Sequence, residues 1–135
     1  MRPVARLACL LGCAVVFASC RTSVGPTRPF EAQVTVPIGQ TVTVANGSVG
    51  VRFDAVPEDS RCPGDAMCIG PGRAVVDVTL LLDGRAMTLQ LRTEPSGSEA
   101  VAGGITIELV QLDPYPFASR PNQPGDYKLT LRLAR

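Results

Sequence analysis

Apolar and polar residues alternate along most of this chain, and this pattern restricts the possible fold more than any other feature. The alternating runs have their apolar positions at Val34 and Val36; Val42 and Val44; Val49, Val51, Phe53 and Ala55; Val76, Val78, Leu80 and Leu82; Met87, Leu89 and Leu91; Ile105, Ile107 and Leu109; and Leu129, Leu131 and Leu133. Because successive side chains of a β-strand point to opposite faces, each run predicts a strand with one buried face. The sequence therefore predicts an all-β fold of about seven strands.

Turn signals between the runs indicate how these strands are arranged. Asn46-Gly47 and Asp83-Gly84 separate neighbouring runs, and both dipeptides suit the positive φ angles of two-residue hairpin turns. After Leu109 the apolar face switches, which indicates a β-bulge or a bend. Short strands joined by hairpins favour an antiparallel β-sandwich or a small barrel.

The start of the chain has a different character and predicts export. Residues 1–19 combine a positive start, an apolar run and small residues just before Cys20, which is the order of a secretory signal peptide. The apolar run, over residues 7–17, is too short to cross a bilayer. The segment resembles the lipobox of bacterial lipoproteins, which implies that Cys20 is diacylated and becomes the mature N-terminus. Cleavage after Ala18, which would release a free secreted protein, is the alternative.

The remainder divides into a tether and one domain. Residues 20–29 carry the lipidated cysteine and then prolines and a glycine without periodicity, so they are predicted to be a tether, and residues 30–135 form the β-domain. The predicted location is the cell envelope, with the protein held by its lipid. In a Gram-negative cell, the absence of Asp after Cys20 favours the outer membrane, facing the periplasm.

The cysteines support this organisation. Removing the signal peptide leaves Cys20, Cys62 and Cys68, and an odd number of cysteines in an exported protein calls for an explanation. Lipidation of Cys20 supplies one, and the other two are then expected to form a disulfide in an oxidising compartment. This bond would close a small ring in the long connection over residues 57–72.

That connection is the first candidate binding loop. It contains the candidate binding residues Glu58, Asp59, Arg61 and Asp65. One interpretation is a rigid recognition loop that presents these charges to a partner. The other is a structural loop in which Asp59 and Arg61 turn inward and bind the loop's own backbone.

The second candidate loop covers residues 113–125 and is rich in proline. Its candidate contact residues are Tyr115, Phe117 and Arg120, because aromatic residues and arginine are favoured in binding hot spots. Alternatively, the two aromatic rings plug one end of the domain. With seven antiparallel strands the two long loops are expected at opposite ends, so a joint site would require a strand to cross over.

Two segments resemble a family of small bacterial envelope lipoproteins. They are Asp59-Ser60-Arg61-Cys62-Pro63 with the following Cys68-Ile69, and Pro114-Tyr115-Pro116 with the later Asp126-Tyr127. That family has an Asp-Ser-Arg-Cys-Pro signature followed by a second cysteine, and no activity is assigned to it. The resemblance implies a fold and a location only.

The amino-acid composition argues against several classes of function. The chain has no histidine, no Gly-x-Ser-x-Gly and no phosphate loop, so neither an enzyme nor a cofactor is predicted. Without Arg2 and Arg6, the mature chain has 13 − 2 = 11 basic residues against 12 acidic ones, so nucleic-acid binding is not expected.

The sequence thus predicts a non-catalytic, lipid-anchored domain with a binding or structural role. Its expected partners are the membrane, through the lipid, and an envelope protein or glycan. Two alternatives are an inhibitor that presents an exposed Arg61 to an envelope protease, and a weak Ca²⁺ site at Glu58, Asp59 and Asp65.

Overall fold

The structure is a computed structural model that describes residues 29–135. The predicted signal peptide, the lipidation of Cys20 and almost all of the tether lie outside these residues. Within the described part, no helix is long and apolar enough to cross a membrane.

The described chain forms two antiparallel sheets of four strands each. The strands are β1 (Glu31–Pro37), β2 (Thr41–Val44), β3 (Val49–Asp59), β4 (Ala74–Leu82), β5 (Arg85–Arg92), β6 (Glu99–Ala102), β7 (Ile105–Asp113) and β8 (Lys128–Ala134). One sheet has the order β1-β8-β7-β6 and the other the order β2-β3-β4-β5. The predicted all-β antiparallel sandwich is confirmed, with one strand more than the seven counted from the sequence.

The core between the sheets consists of the apolar positions of the alternating runs. Its fully buried members come from both sheets and include Val51, Phe53, Leu80, Ile107 and Leu131. Phe53 is the largest of them, so the core is mainly aliphatic, as expected. Burial of such side chains contributes about 1.5–3 kcal/mol each, and this favours the two-layer arrangement.

The two predicted hairpin turns have different outcomes. Asp83 and Gly84 form a two-residue turn between β4 and β5, with φ angles of 49° and 74°. This confirms the prediction. Asn46 lies instead in a four-residue connection between Val44 and Val49, where a short 3-10 turn replaces the predicted two-residue turn.

The bulge predicted after Leu109 is also present. The pairing of β7 with β8 shifts between Leu109 and Gln111, and Val110 is left 41% exposed. Because one extra residue restores the original face, Leu112 returns to the core.

The strand that the sequence did not predict is β6, Glu99–Ala102, at the edge of its sheet. It has only four residues and a single large apolar side chain, Val101, which points to solvent. A short edge strand of this kind gives almost no periodic signal.

Candidate functional site

The two long loops lie at the same end of the sandwich and contact each other, so the expectation of opposite ends was wrong. The backbone N–H of Gly64 donates to the carbonyl oxygen of Pro116 at 2.9 Å. The cause is the unpredicted β6, because one additional strand reverses the direction of every later strand. We call this end, formed by residues 60–73 and 114–127, the loop end.

The first loop begins later than predicted because β3 continues to Asp59. Beyond the strands, Ser60 N–H donates to the carbonyl of Arg73 at 2.7 Å, and Cys62 N–H to that of Pro71 at 2.8 Å. The loop therefore starts as a continuation of the β3–β4 hairpin. Only the segment between Cys62 and Pro71 extends beyond this hairpin pairing.

Arg61 is buried at the centre of the loop end. Its Nε donates to Oδ1 of Asp59 at 2.8 Å and its Nη2 to Oδ2 of Asp59 at 2.7 Å. Its Nη1 donates to the carbonyl oxygen of Leu112 at 2.7 Å, and Nη2 also donates to that of Pro114 at 3.0 Å. The guanidinium lies 5.3 Å from the ring centroid of Tyr115. Arg61 thus joins both loops by charge-assisted bonds and a cation–π contact.

Two further groups complete this polar cluster. The hydroxyl of Tyr127 donates to Oδ2 of Asp59 at 3.0 Å. Burial raises the pKa of Asp59, but the hydrogen bonds and charge of Arg61, with the Tyr127 bond, outweigh this and leave that pKa below its usual value. Burial and the neighbouring Asp59 carboxylate raise the pKa of Tyr127. Asp59 therefore stays ionised and paired at neutral pH.

Asp65 makes the second connection between the loops. Its Oδ1 accepts the backbone N–H of Ala118 at 2.6 Å and its Oδ2 that of Ser119 at 3.0 Å. Hydrogen bonds from Ser119 and Ala118 lower the pKa of Asp65 to about 2. The carboxylate thus orders the second loop by accepting bonds that would otherwise go to water.

The predicted disulfide between Cys62 and Cys68 is confirmed. The ring that this bond closes packs against the second loop. Gly64, inside the ring, lies so close to Phe117 that an added Cβ would be only 3.0 Å from Cε1 of that side chain. On the loop-entropy description, closing so short a ring stabilises the fold by about 2 kcal/mol. The disulfide therefore restricts the conformation of residues 62–68, which pack on the second loop.

The remaining candidate residues lie at the margin of this site. Glu58 is exposed and forms an ion pair with Arg73 at 3.5 Å. Arg120 is exposed, and its backbone pairs with that of Phe117 across a tight turn. Glu58, Asp59 and Asp65 do not converge, and within residues 29–135 no group of three acidic, cysteine or histidine side chains forms a potential metal site.

In the structure, the charged side chains of the first loop bind groups of the protein itself, whereas the recognition hypothesis expected them to face a partner. Asp59 and Arg61 are turned into the loop end, and the exposed Asp65 binds backbone N–H groups of the second loop. An inhibitor that offered Arg61 to a protease would need that side chain exposed. The most exposed apolar side chains are instead Met67 and Ile69, at 102% and 111% relative exposure. Neither residue was predicted as a site residue from the sequence. Two large apolar residues inside a non-periodic Gly/Pro loop were the available signal.

No protein-family model, curated protein or solved structure matches this chain. Any functional assignment therefore depends on the site itself.

Proposed function

We propose that this protein is a non-catalytic, lipid-anchored β-domain of the bacterial cell envelope that binds another envelope molecule through its loop end. The observation that carries the proposal is that two long loops are joined into one preorganised surface by Arg61, Asp65 and the disulfide. A surface that is already ordered loses little conformational entropy on association.

The anchoring part depends on the sequence preceding the domain. Mass spectrometry of the mature protein is expected to find acyl chains on Cys20, and Cys20→Ser is expected to release the protein from the membrane fraction. An unmodified N-terminus at Ser19 would contradict anchoring and favour a free secreted protein.

The binding part is tested by capture from native envelope extracts. Wild-type protein is compared with a variant in which residues 63–67 are replaced by Gly and Ser, while both disulfide cysteines remain. The wild type is expected to retain a discrete set of envelope components that the variant does not retain. Equal retention by the two would contradict binding through the loop end.

A further inference from the structure

The disulfide of the first loop has one accessible sulfur and one shielded sulfur. Cys68 is exposed, as is every residue from 64 to 70. Cys62 is only partly exposed, and its Sγ lies 3.7 Å from the carbonyl oxygens of both Pro63 and Ala66, so it faces the backbone of the ring. A reagent in solution therefore reaches the bond from the side of Cys68.

The surroundings of Cys68 also admit a negatively charged reagent. Residues 66–72 carry no charged side chain. Asp65 is the nearest acid in the sequence, and its two carboxylate oxygens already accept backbone N–H groups of the second loop. The nucleophile in thiol–disulfide exchange is a thiolate, and its rate depends on access to the sulfur that it attacks. At Cys68, neither burial nor a cluster of negative charge hinders this approach.

These positions give the exchange a defined direction. A thiolate attacks in line with the bond that breaks, from the side opposite the leaving sulfur, and at Cys68 that side is solvent. The attacking sulfur bonds to Sγ of Cys68, the bond between Cys62 and Cys68 breaks, and Cys62 leaves as a thiolate that takes a proton from water. A second external thiolate then displaces Cys68 from the mixed disulfide. The two cysteines are thereby reduced, and the two external thiols are oxidised to a disulfide.

The contacts that hold the disulfide ring on the second loop are hydrogen bonds at the surface. The N–H of Gly64 donates to the carbonyl oxygen of Pro116 at 2.9 Å, and the carboxylate of Asp65 accepts the N–H groups of Ala118 and Ser119. Water competes for such exposed bonds, so each contributes little by itself. They persist because the disulfide limits the conformations that the ring can adopt. Once the ring is open, these bonds are expected to break more often.

The rest of the loop end does not depend on the disulfide. Arg61 precedes the ring, is only 8% exposed, and keeps its bonds to Asp59 and to the carbonyl oxygen of Pro114. The backbone bond from Ser60 to Arg73 also lies outside the ring. Reduction is therefore expected to free the ring while the sandwich and its buried ion pair remain intact.

We propose that the bond between Cys62 and Cys68 is a site of reversible thiol–disulfide exchange, attacked at Sγ of Cys68, and that reduction releases residues 62–68 from the second loop. The co-reactant is a dithiol, or two molecules of a monothiol. Exposed disulfides are the labile ones as a class, whereas buried structural disulfides resist reduction. This exchange does not depend on the proposed binding function.

Trapping the mixed disulfide tests the site of attack. The protein, purified from cells in its oxidised form, is incubated with reduced glutathione, the exchange is stopped with an excess of an alkylating agent, and the peptides are mapped by mass spectrometry. Glutathione on Cys68 with the alkyl group on Cys62 is expected in roughly tenfold excess over the opposite arrangement. Protein unfolded in urea is the matched control, and there this preference is expected to disappear. In the folded protein, glutathione mainly on Cys62, an even distribution, or exchange only after unfolding would overturn the proposal.

Hydrogen exchange measures the consequence of reduction. After reduction with dithiothreitol, the amides of Gly64, Ala118 and Ser119 are expected to exchange roughly tenfold faster, because their N–H groups donate the bonds between the ring and the second loop. The amide of Asp126 is the matched control and should not change, since it donates within the second loop to Gln123. The circular dichroism of the sheets should also stay the same. Unchanged exchange at the three amides, or loss of the sheet signal on reduction, would overturn the proposed release of the ring.

Discussion

Replacing Arg61 by alanine tests whether the loop end depends on its buried ion pair. The substitution removes both bonds to Asp59 and the donors to the carbonyl oxygens of Leu112 and Pro114. Asp59 would keep the Tyr127 hydroxyl and the backbone N–H of residue 61, at 3.4 Å, but this largely buried carboxylate would lose its counter-charge.

The size of the effect follows from this burial. Breaking a buried ion pair by removing one partner typically costs 3–5 kcal/mol. The side chains of Arg61 and Asp59 are 7% and 11% exposed, so water screens this pair only slightly. Because Asp59 retains Tyr127 and some solvent, we take the lower limit and expect a loss of about 3 kcal/mol. For a domain of this size that corresponds to a melting temperature lower by roughly 12 °C.

Urea unfolding followed by circular dichroism measures this difference directly. The matched control is Arg132→Ala, because Arg132 also forms an ion pair, with Glu108 at 3.0 Å, but its side chain is 45% exposed. Such surface pairs contribute at most about 1 kcal/mol. A loss below about 1 kcal/mol for Arg61→Ala, or one equal to that of the control, would refute the structural role of Arg61.

Three further predictions concern the same end of the molecule. Gly72→Ala should destabilise the fold by roughly 3 kcal/mol or more in thermal unfolding, because φ is +63° and the new Cβ would lie 1.7 Å from the carbonyl oxygen of Ser60. Gly125→Ala, with no atom within 4 Å of the new Cβ, should change stability by less than about 0.5 kcal/mol. Joint replacement of Cys62 and Cys68 by alanine should cost roughly 2 kcal/mol in urea unfolding yet leave the protein folded, whereas an unchanged midpoint would contradict a stabilising staple. Folding lowers the pKa of Asp65 from its usual 3.8 to about 2, so the stability that this group contributes is present above pH 3.8 and is lost as the pH falls toward 2. We therefore expect Asp65→Asn to make the melting temperature fall less steeply over this acid range.

The strands of the core could be predicted from the sequence because each buries one face only. In β8, for example, Leu129, Leu131 and Leu133 are fully buried while Lys128 and Arg132 are exposed, so burial itself produces the alternation. The short edge strand β6 escapes this rule because almost none of it is buried. The more apolar surface a strand buries, the more clearly the alternating pattern predicts that strand.

The unpredicted strand β6 affects the predicted position of the loops more than it affects the predicted fold class. The sandwich class does not change between seven and eight strands, but the end at which a connection lies depends on whether the number of preceding strands is odd or even. The connections after β3 and β7 share an end only because β6 is present. The joint site of Arg61 and Tyr115 could not be predicted without that strand.

The orientation of the charged residues follows from the same contact between loops. Where two irregular loops pack together, the carbonyl and N–H groups that they bury need partners, and the charged side chains nearest to them can provide these. Arg61 does this for the carbonyl oxygens of Leu112 and Pro114, whereas Asp65 binds the N–H groups of Ala118 and Ser119 at the exposed surface between the loops. The density of charge in the first loop thus reflects the bonds that its packing requires. Met67 and Ile69 satisfy no such requirement, and because folding alone gives no reason to hold them in solvent, their exposure is the better indication of a binding surface.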